Sequence, residues 1–455
     1  MYRVKRLLMK PAWVAPALLV ICGLPAWGQA QPSPGPDVKA IYQRLLPQIR
    51  RIQIFDNHGH PGFPDDPDVD AMALPPDGSV PFRLRSENPE WLEAVKALFN
   101  YPYADLSPEH LRWLTNRKAE LKKQLGPAYF SHILDQAGIE TAVANRVSMP
   151  AYLDPARFRW VFFVDSFLFP FNNQQLGTGN PDRAFNFPLQ QKLLQREMAE
   201  VHLAALPADL PAYLSFITRV VETDQSRGGV GIKFEVAYFR SLHFGDPSEQ
   251  RAAEIYARYR SGGVPSAQEY RDFQDYIFRY LLREAGRLHL PVQIHTAVGA
   301  GDYFSLNDGN VLNLENVLRD PRYNNVTFDL LHGGYPFEHQ AIWLAAKKNV
   351  YLDSSLMSDF LYPQALARVL KQWLELFPDK VVFGSDAFPF SDAIGAEESY
   401  WLAAQSSRVA LAEALAEMVS EGEINESQAL DMAHAYLHDT ASRLYGNGPA
   451  NPKTF

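Results

Sequence analysis

The chain has 455 residues, 47% of them hydrophobic and 21% charged, an ordinary globular composition that excludes intrinsic disorder and fibrous repeats. Its formal net charge of -9 argues against nucleic acid as a partner, because phosphate binding calls for a basic surface. The one cysteine, Cys22, excludes a disulfide framework and a cysteine-ligated zinc site, so any metal must be held by His, Asp, Glu or a modified Lys.

Residues 1–30 carry Arg3, Lys5, Arg6 and Lys10, no acidic residue, an apolar stretch from Trp13 to Pro25, and the small-residue ending Gly28-Gln29-Ala30. This is the plan of a secretory signal peptide. The apolar part is short for a membrane span, so no stable span is expected once the signal is removed; a retained N-terminal helix is the alternative. Ile21 is too bulky, directly before Cys22, for a lipoprotein site. Cleavage after Ala30 leaves a chain without cysteine, suited to the periplasm or the exterior. It also takes the net charge from -9 to -13 by removing four basic residues. Residues 31–50 read as a leader and first helix, 51–446 as one large domain and 447–455 as a tail.

In the large domain, short β-branched or aromatic runs alternate with longer amphipathic stretches, the pattern of βα units around a parallel sheet. The predicted strands are Arg51–His58, Glu140–Val147, Phe158–Asp165, Gly231–Val236, Leu290–His295, Val326–His332, Val350–Ser354 and Lys380–Asp386. Helices are predicted over Pro188–Ala205, Ser266–Leu288, Phe337–Lys347 and Pro363–Leu376, and after the last strand near Glu397–Ser420 and Asn425–Leu444. Eight such units predict an α/β fold, a (β/α)8 TIM barrel, with a doubly wound open sheet as the alternative. Pro61–Gly126 and Ser166–Phe187 are the long insertions, and both follow strand C-termini, at the mouth of such a barrel.

The polar residues that end the strands are the main functional signal. Strand one ends in His58-Gly59-His60, whose two imidazoles share a face by the two-residue period. Strand five ends in His295, strand six in His332 and strand eight in Asp386. A barrel brings all these ends to one rim, so four imidazoles and a carboxylate are expected in a single pocket. A catalytic zinc wants about three such ligands and an open position, and its bound water ionises near neutral pH. His110, His132, His202, His289, His434 and His438 fall in helical stretches and read as surface or packing residues.

The sequence resembles the amidohydrolase superfamily, in its amidohydrolase-related (amidohydrolase 2) branch. The residues that carry this are Asp56-Asn57-His58-Gly59-His60, Gln293-Ile294-His295-Thr296, Leu331-His332-Gly333-Gly334-Tyr335-Pro336, Phe383-Gly384-Ser385-Asp386 and the last helix around Leu437–Gly446. The stretch Gly231–Arg240 is similar to the amidohydrolase-like domain fused to glutamine-synthetase-like proteins. The resemblance spans about residues 50–446. It implies that His58, His60, His295 and Asp386 bind metal, with Asp386 also accepting a proton from the attacking water. His332 is implied as a second-metal ligand or a substrate and proton-transfer residue. Lys233, with Glu235 on its face, would bridge two metals when carboxylated, or place a positive charge near the substrate. One Zn2+ is favoured over two metals.

Arg240, Arg146 and Tyr335 are candidate substrate-binding residues, the arginines because a guanidinium holds a carboxylate bidentately. The resulting expectation is a secreted metal-dependent hydrolase that turns metal-bound hydroxide on a small amide, lactone or ester. A decarboxylase or sugar-acid isomerase of the same superfamily is the alternative, and a binding protein without turnover a third. Barrels of this sort often pair, so a homodimer is compatible with the sequence.

Overall fold

The computed structural model describes residues 37–72, 81–390 and 394–446. The expected signal segment, with Cys22, and the tail from residue 447 lie outside the described residues. Eight parallel strands follow one another in sheet order: β1 (Ile54–Gly59), β2 (Ile139–Asn145), β3 (Phe158–Phe163), β4 (Gly229–Phe234), β5 (Val292–His295), β6 (Phe328–Leu331), β7 (Val350–Asp353) and β8 (Val381–Val382). The last strand returns to the first. Gly59 bridges Ala387 in parallel, Asn57 N–H donates to Phe383 O at 3.0 Å, and His60 N–H donates to Ala387 O at 2.7 Å. The chain is a (β/α)8 barrel, and the open sheet is excluded by this closure.

Most strands are shorter than the sequence suggests, and β8 shows why. Lys380–Asp386 reads as seven extended residues, but regular pairing stops at Val382. The next amide, Phe383 N–H, donates to Tyr436 O of the C-terminal helical segment rather than to a strand. The amides of Ser385 and Asp386 then both turn to His58 O, at 3.1 and 2.8 Å. Glycine gives the seam its clearance. A Cβ on Gly59 would sit 3.2 Å from Ser385 Oγ and 3.3 Å from Ala387 N, so the β1–β8 contact would have to open by a few tenths of an ångström.

The helices bury one face each against the barrel. Pro363–Leu376 starts on a proline, which loses nothing at a first turn whose amides are unpaired. It buries Leu366, Leu370, Trp373 and Leu374, a stripe at helical spacing. Ala267–Leu288 opens with a Ser266–Glu269 capping box and closes with His289 in the left-handed conformation. Pro188 was expected to start a helix but lies inside Pro181–Glu200. Its ring removes one backbone bond, while Asn180 caps the true start and Phe187, Gln190 and Leu194 bury a continuous face.

Within the insertion after β1, helices span Pro89–Phe99, Pro108–Leu125 and Tyr129–Ala137, the first two starting on prolines. The expected final helix is interrupted: Glu426–His434 passes through a π-turn at Ala435–Asp439 into Thr440–Tyr445. No helix among the described residues is long and apolar enough to cross a membrane.

Gly384 links this frame to the rim, because a Cβ there would overlap Asp353 Oδ2 and come within 2.8 Å of Ser355 Cβ. Gly384→Ala is therefore expected to destabilise the fold by about 1–3 kcal/mol, the range for overpacking a closed site. Thermal unfolding followed by circular dichroism measures it, and an unchanged midpoint would contradict the packing described.

Candidate metal centre

The rim of the barrel is built by strands whose polar ends point at one another. Two rim residues, His332 and Asp386, adopt left-handed backbone angles (φ 62° and 52°) that side chains other than glycine rarely tolerate. Their conformation is held by hydrogen bonds from their own amides. His332 N–H donates to Asp353 Oδ1 at 3.0 Å, and Asp386 N–H donates to His58 O at 2.8 Å.

Asp386 Oδ1 lies 3.0 Å from His58 Nε2 and 3.7 Å from His60 Nε2. One ligand atom from each of these three residues lies within 4.8 Å of the others, and both imidazoles are buried. His58 Nε2 has no hydrogen-bond partner among the described residues. The His60 ring is held between Phe163, stacked at 6.2 Å, and Phe388 at 5.7 Å.

His295 was grouped in the sequence with His58, His60 and Asp386. The structure sets it against His332, with His295 Nδ1 and His332 Nε2 2.9 Å apart, and His332 in turn lies beside His58, with ring centroids 5.5 Å apart. The partners of the other two ring nitrogens assign the protons. His295 Nε2 lies 3.1 Å from Val298 O, a carbonyl that can only accept, so that nitrogen carries hydrogen. His332 Nδ1 lies 2.9 Å from Ser355 Oγ, whose own hydroxyl is directed at the Asp353 carboxylate, so this nitrogen also carries hydrogen. Burial holds all four rim imidazoles well below the ordinary histidine pKa, and the charge of Lys233 and of neighbouring imidazoles adds to it, so they are neutral. Two neutral rings arranged in this way face each other with lone pairs. That contact is repulsive unless a cation stands between or beside them. Neutral imidazole and carboxylate are the donors that zinc and related ions take, so this residue set fits a divalent metal.

Lys233 and Glu235 extend the site on the β4 side. Lys233 is fully buried, its Nζ is 3.9 Å from Glu235 Oε1, and it has no hydrogen-bond partner among the described residues. Asp70, from the loop after β1, was not identified in the sequence. Its Oδ2 lies 3.4 Å from His60 Nδ1, and its carboxyl is hydrogen-bonded to that of Glu235. Burial pushes Asp70 up to about 6 despite this bond and the nearby Lys233. Burial, then the charge of Asp70, also raises Glu235. His60, Asp70 and Glu235 form a second group whose donor atoms are all within 4.8 Å.

The two candidate arginines are engaged elsewhere. Arg146 is fully buried and donates to Asp66 Oδ2 at 2.6 Å, Ser148 O at 3.0 Å and Pro61 O at 2.5 Å. Arg240 spends its donors on Asp275 Oδ1 at 2.7 Å, Gln274, and the carbonyls of Ser241 and His243. Neither presents a free fork to a substrate; both fasten mouth loops to the barrel. Tyr335 is half-buried, and its carbonyl accepts from Val298 N–H at 3.1 Å, which fixes the turn that carries the His295 acceptor. The ring beside His295 is Tyr238, 4.6 Å between centroids.

A cavity of about 640 Å³ abuts the centre through Asp70 and Phe388. The loops after β1 and β8 form one side, with Phe63, Met72 and Phe390. The helix Pro181–Glu200 forms the other, presenting Leu189, Lys192, Leu193 and Arg196 at i, i+3, i+4 and i+7. Arg196 is paired with Asp68 at 2.8 Å, whereas Lys192 has no ion pair among the described residues.

Comparison with known proteins places this geometry. The family model described as amidohydrolase matches residues 219–446, which contain β4 to β8 and the final helix. The protein fluG of Emericella nidulans is 28% identical over 228 residues, covering 48% of this chain and 25% of that protein, so the chain corresponds to about a quarter of its curated relative. Three solved structures share the fold, each with a TM-score of 0.58. One is a Lactobacillus casei protein ascribed a metal-dependent hydrolase function (18% identity, 88% of this chain, 97% of that one). The others are a uronate isomerase from Thermotoga maritima (12%, 89%, 97%) and a glucuronate isomerase from Caulobacter crescentus (13%, 92%, 97%).

The four buried neutral imidazoles oppose acid. An unfolded histidine takes up its proton near pH 6.5, whereas these do so only at much lower pH in the fold. Between those limits the unfolded state binds more protons, so the imidazole contribution to stability falls as pH drops below about 6.5. Carboxyls that burial raises, Asp56 to about 8 and Asp165 and Asp329 to about 7, contribute with the opposite sign over the same range, so the rings are best followed individually. In chelator-treated protein with 15N-labelled histidine the rim rings are expected to stay neutral from about pH 7 to 5, and rings that charge near pH 6.5 would contradict the burial described.

Proposed function

The chain belongs to the amidohydrolase family, and from that premise we propose that it is a metal-dependent hydrolase acting on a C–N or C–O bond of a small amide, lactone or ester. The observation that carries this is the convergence of neutral ring nitrogens and one carboxylate, lone pairs inward, at the mouth of the barrel. A divalent ion, with Zn2+ favoured by the donor set, supplies Lewis acidity toward a carbonyl and makes water acidic near neutral pH. His58, His60 and Asp386 would hold it, and the His295–His332 pair would complete that set or hold a second ion. Lys233, carboxylated, would be the bridge between two.

The chain's own residues do the rest. Asp386 stands at the rim with 14% of its side chain exposed, more than the imidazoles beside it. It is placed to take a proton at its carboxylate from an attacking water and to return it to a leaving nitrogen or oxygen. The Asp70–Glu235 carboxyl pair keeps a proton in the site next to His60. Phe63, Phe388 and Phe390 offer an apolar body a wall, and the cavity has the size of ordinary small-molecule sites. Lys192 is the wall residue placed to receive an anionic substituent. The N-terminal signal pattern supports action in the periplasm or outside the cell.

A second reading is a non-hydrolytic reaction, isomerisation of a sugar acid or decarboxylation. It is favoured by the fold shared with two uronate isomerases. Water labelled with oxygen-18 separates the two. Hydrolysis puts the label into the acid product, and chelation is expected to abolish turnover until Zn2+ is restored. Asp386→Asn is expected to lower kcat by about 10²-fold or more while leaving the fold intact. Turnover that survives chelation, or product without label, would overturn the hydrolytic reading.

A further inference from the structure

Inside the barrel, beneath the rim, lies a chain of amide groups that the chemistry above does not use. His58 Nδ1 is 2.8 Å from Asn145 Oδ1, Asn145 Nδ2 is 2.6 Å from Gln293 Oε1, and Gln293 Nε2 is 2.9 Å from the backbone carbonyl of Asn57. The three side chains are fully buried, on β1, β2 and β5. Gln293 Nε2 also reaches Tyr445 Oη at 3.1 Å, and that hydroxyl donates to Asp329 Oδ2 at 2.7 Å.

We infer that this chain sets the tautomer of His58, with Gln293 acting as a positioning residue that orients Asn145 against the imidazole. A backbone carbonyl can only accept, so Asn57 O requires the NH2 end of Gln293. The oxygen end of Gln293 then faces Asn145 and requires the NH2 end of Asn145. The oxygen of Asn145 is left facing His58, so His58 carries its hydrogen on Nδ1. Its Nε2 keeps a lone pair, directed at the Asp386 side of the rim, 3.0 Å from Oδ1. Without the anchor, Asn145 is free to turn over, and its NH2 group would favour the opposite tautomer, with hydrogen on Nε2 where a metal must bind. Partners that fix a ligating imidazole in this way typically change metal affinity by about 10- to 100-fold when lost. Tyr445 fits the same order, since it donates to Asp329 and so accepts from Gln293. The consequence for metal binding rests on the metal-centre reading above; the tautomer itself does not.

The test uses the full chain, stripped of metal, with 15N-labelled histidine and the His58 ring signals identified by their loss in His58→Gln. In the wild type the ring is expected in its Nδ1–H form. Gln293→Met, close in shape but unable to donate or accept, is expected to mix the tautomers and to weaken Zn2+ binding about tenfold in a competition titration with a chelating dye. Gln293→Glu still accepts from Asn145 and is expected to keep the Nδ1–H form. Asn145→Asp presents an acceptor whichever way it turns, so adding Gln293→Met to it is expected to change neither tautomer nor Zn2+ affinity by more than about twofold. Should Gln293→Met not fold, Asn145→Ala removes the acceptor directly and is expected to mix the tautomers. The inference is overturned if Gln293→Met or Asn145→Ala leaves His58 wholly Nδ1–H, or if the double variant loses that form as fully as Gln293→Met alone. A wild type that holds the Nδ1–H form and binds no Zn2+ would instead count against the metal reading and leave the relay standing.

Discussion

Electron-rich atoms that face one another in a buried site repel, and the barrel described here keeps four of them at its rim: Nε2 of His58 and His332, Nδ1 of His295, and Oδ1 of Asp386. A positive charge among them stabilises such a site, because buried polar atoms without partners cost on the order of 1–3 kcal/mol each. Protonating the rings would serve, but burial opposes it for all four imidazoles. A divalent cation removes the conflict without placing a proton on a desolvated ring. The family assignment, the conformation of His332 and Asp386 and the hydrogen-bond chains behind the rings all bear on this one requirement.

The fold supplies the requirement's geometry. Closure of β8 on β1 is made by the stretch that carries the ligands: His58 O accepts from Ser385 and Asp386, while Gly59 lets Ser385 and Ala387 approach. One stretch of chain therefore both closes the barrel and carries His58 and Asp386. Behind this seam, Asp56 accepts from Ser385 N–H at 2.8 Å and from its hydroxyl at 2.5 Å. On the opposite wall Asn57 donates to both Asp329 and Asp353, and Asp353 in turn fixes Ser355 and the His332 amide. The interior of this barrel beneath the rim is a network of oriented polar groups where many barrels carry stacked aliphatic layers. Phe55, Val143 and Val161 form a small apolar cluster against Tyr445, and the large apolar core lies between strands and helices.

How much of this was legible in the sequence follows from where each signal lives. Strand order and the rim residues were readable because His295, His332 and Asp386 end short apolar runs, a pattern that survives without any knowledge of tertiary contacts. Which atoms meet was not readable. A position on the rim does not tell which ring nitrogen faces which, so the direct contact of His295 with His332 was hidden. Arg146 and Arg240 looked available because a strand end is usually exposed, yet their loops supply Asp66 and an adjacent helix supplies Asp275. Asp70 sits in a Pro- and Asp-rich loop with no periodicity to mark it. Asn145 and Gln293 carry signals that only a buried network explains, since polar amides in the middle of strands are otherwise unfavourable.

The cavity beside the centre explains how one site can combine a charged interior with an apolar approach. Phe63, Phe388 and Phe390 line it, and Asp70 and Phe388 border it on the His60 side of the rim. Everything here turns on the cation itself. X-ray absorption at the metal edge on purified, unsupplemented protein is the measurement that decides it. The expected result is a signal with nitrogen and oxygen neighbours at about 2.0–2.2 Å and an imidazole scattering pattern that weakens in His58→Gln. Protein without any bound divalent metal, refractory to loading with zinc and unchanged in His58 environment, would contradict it.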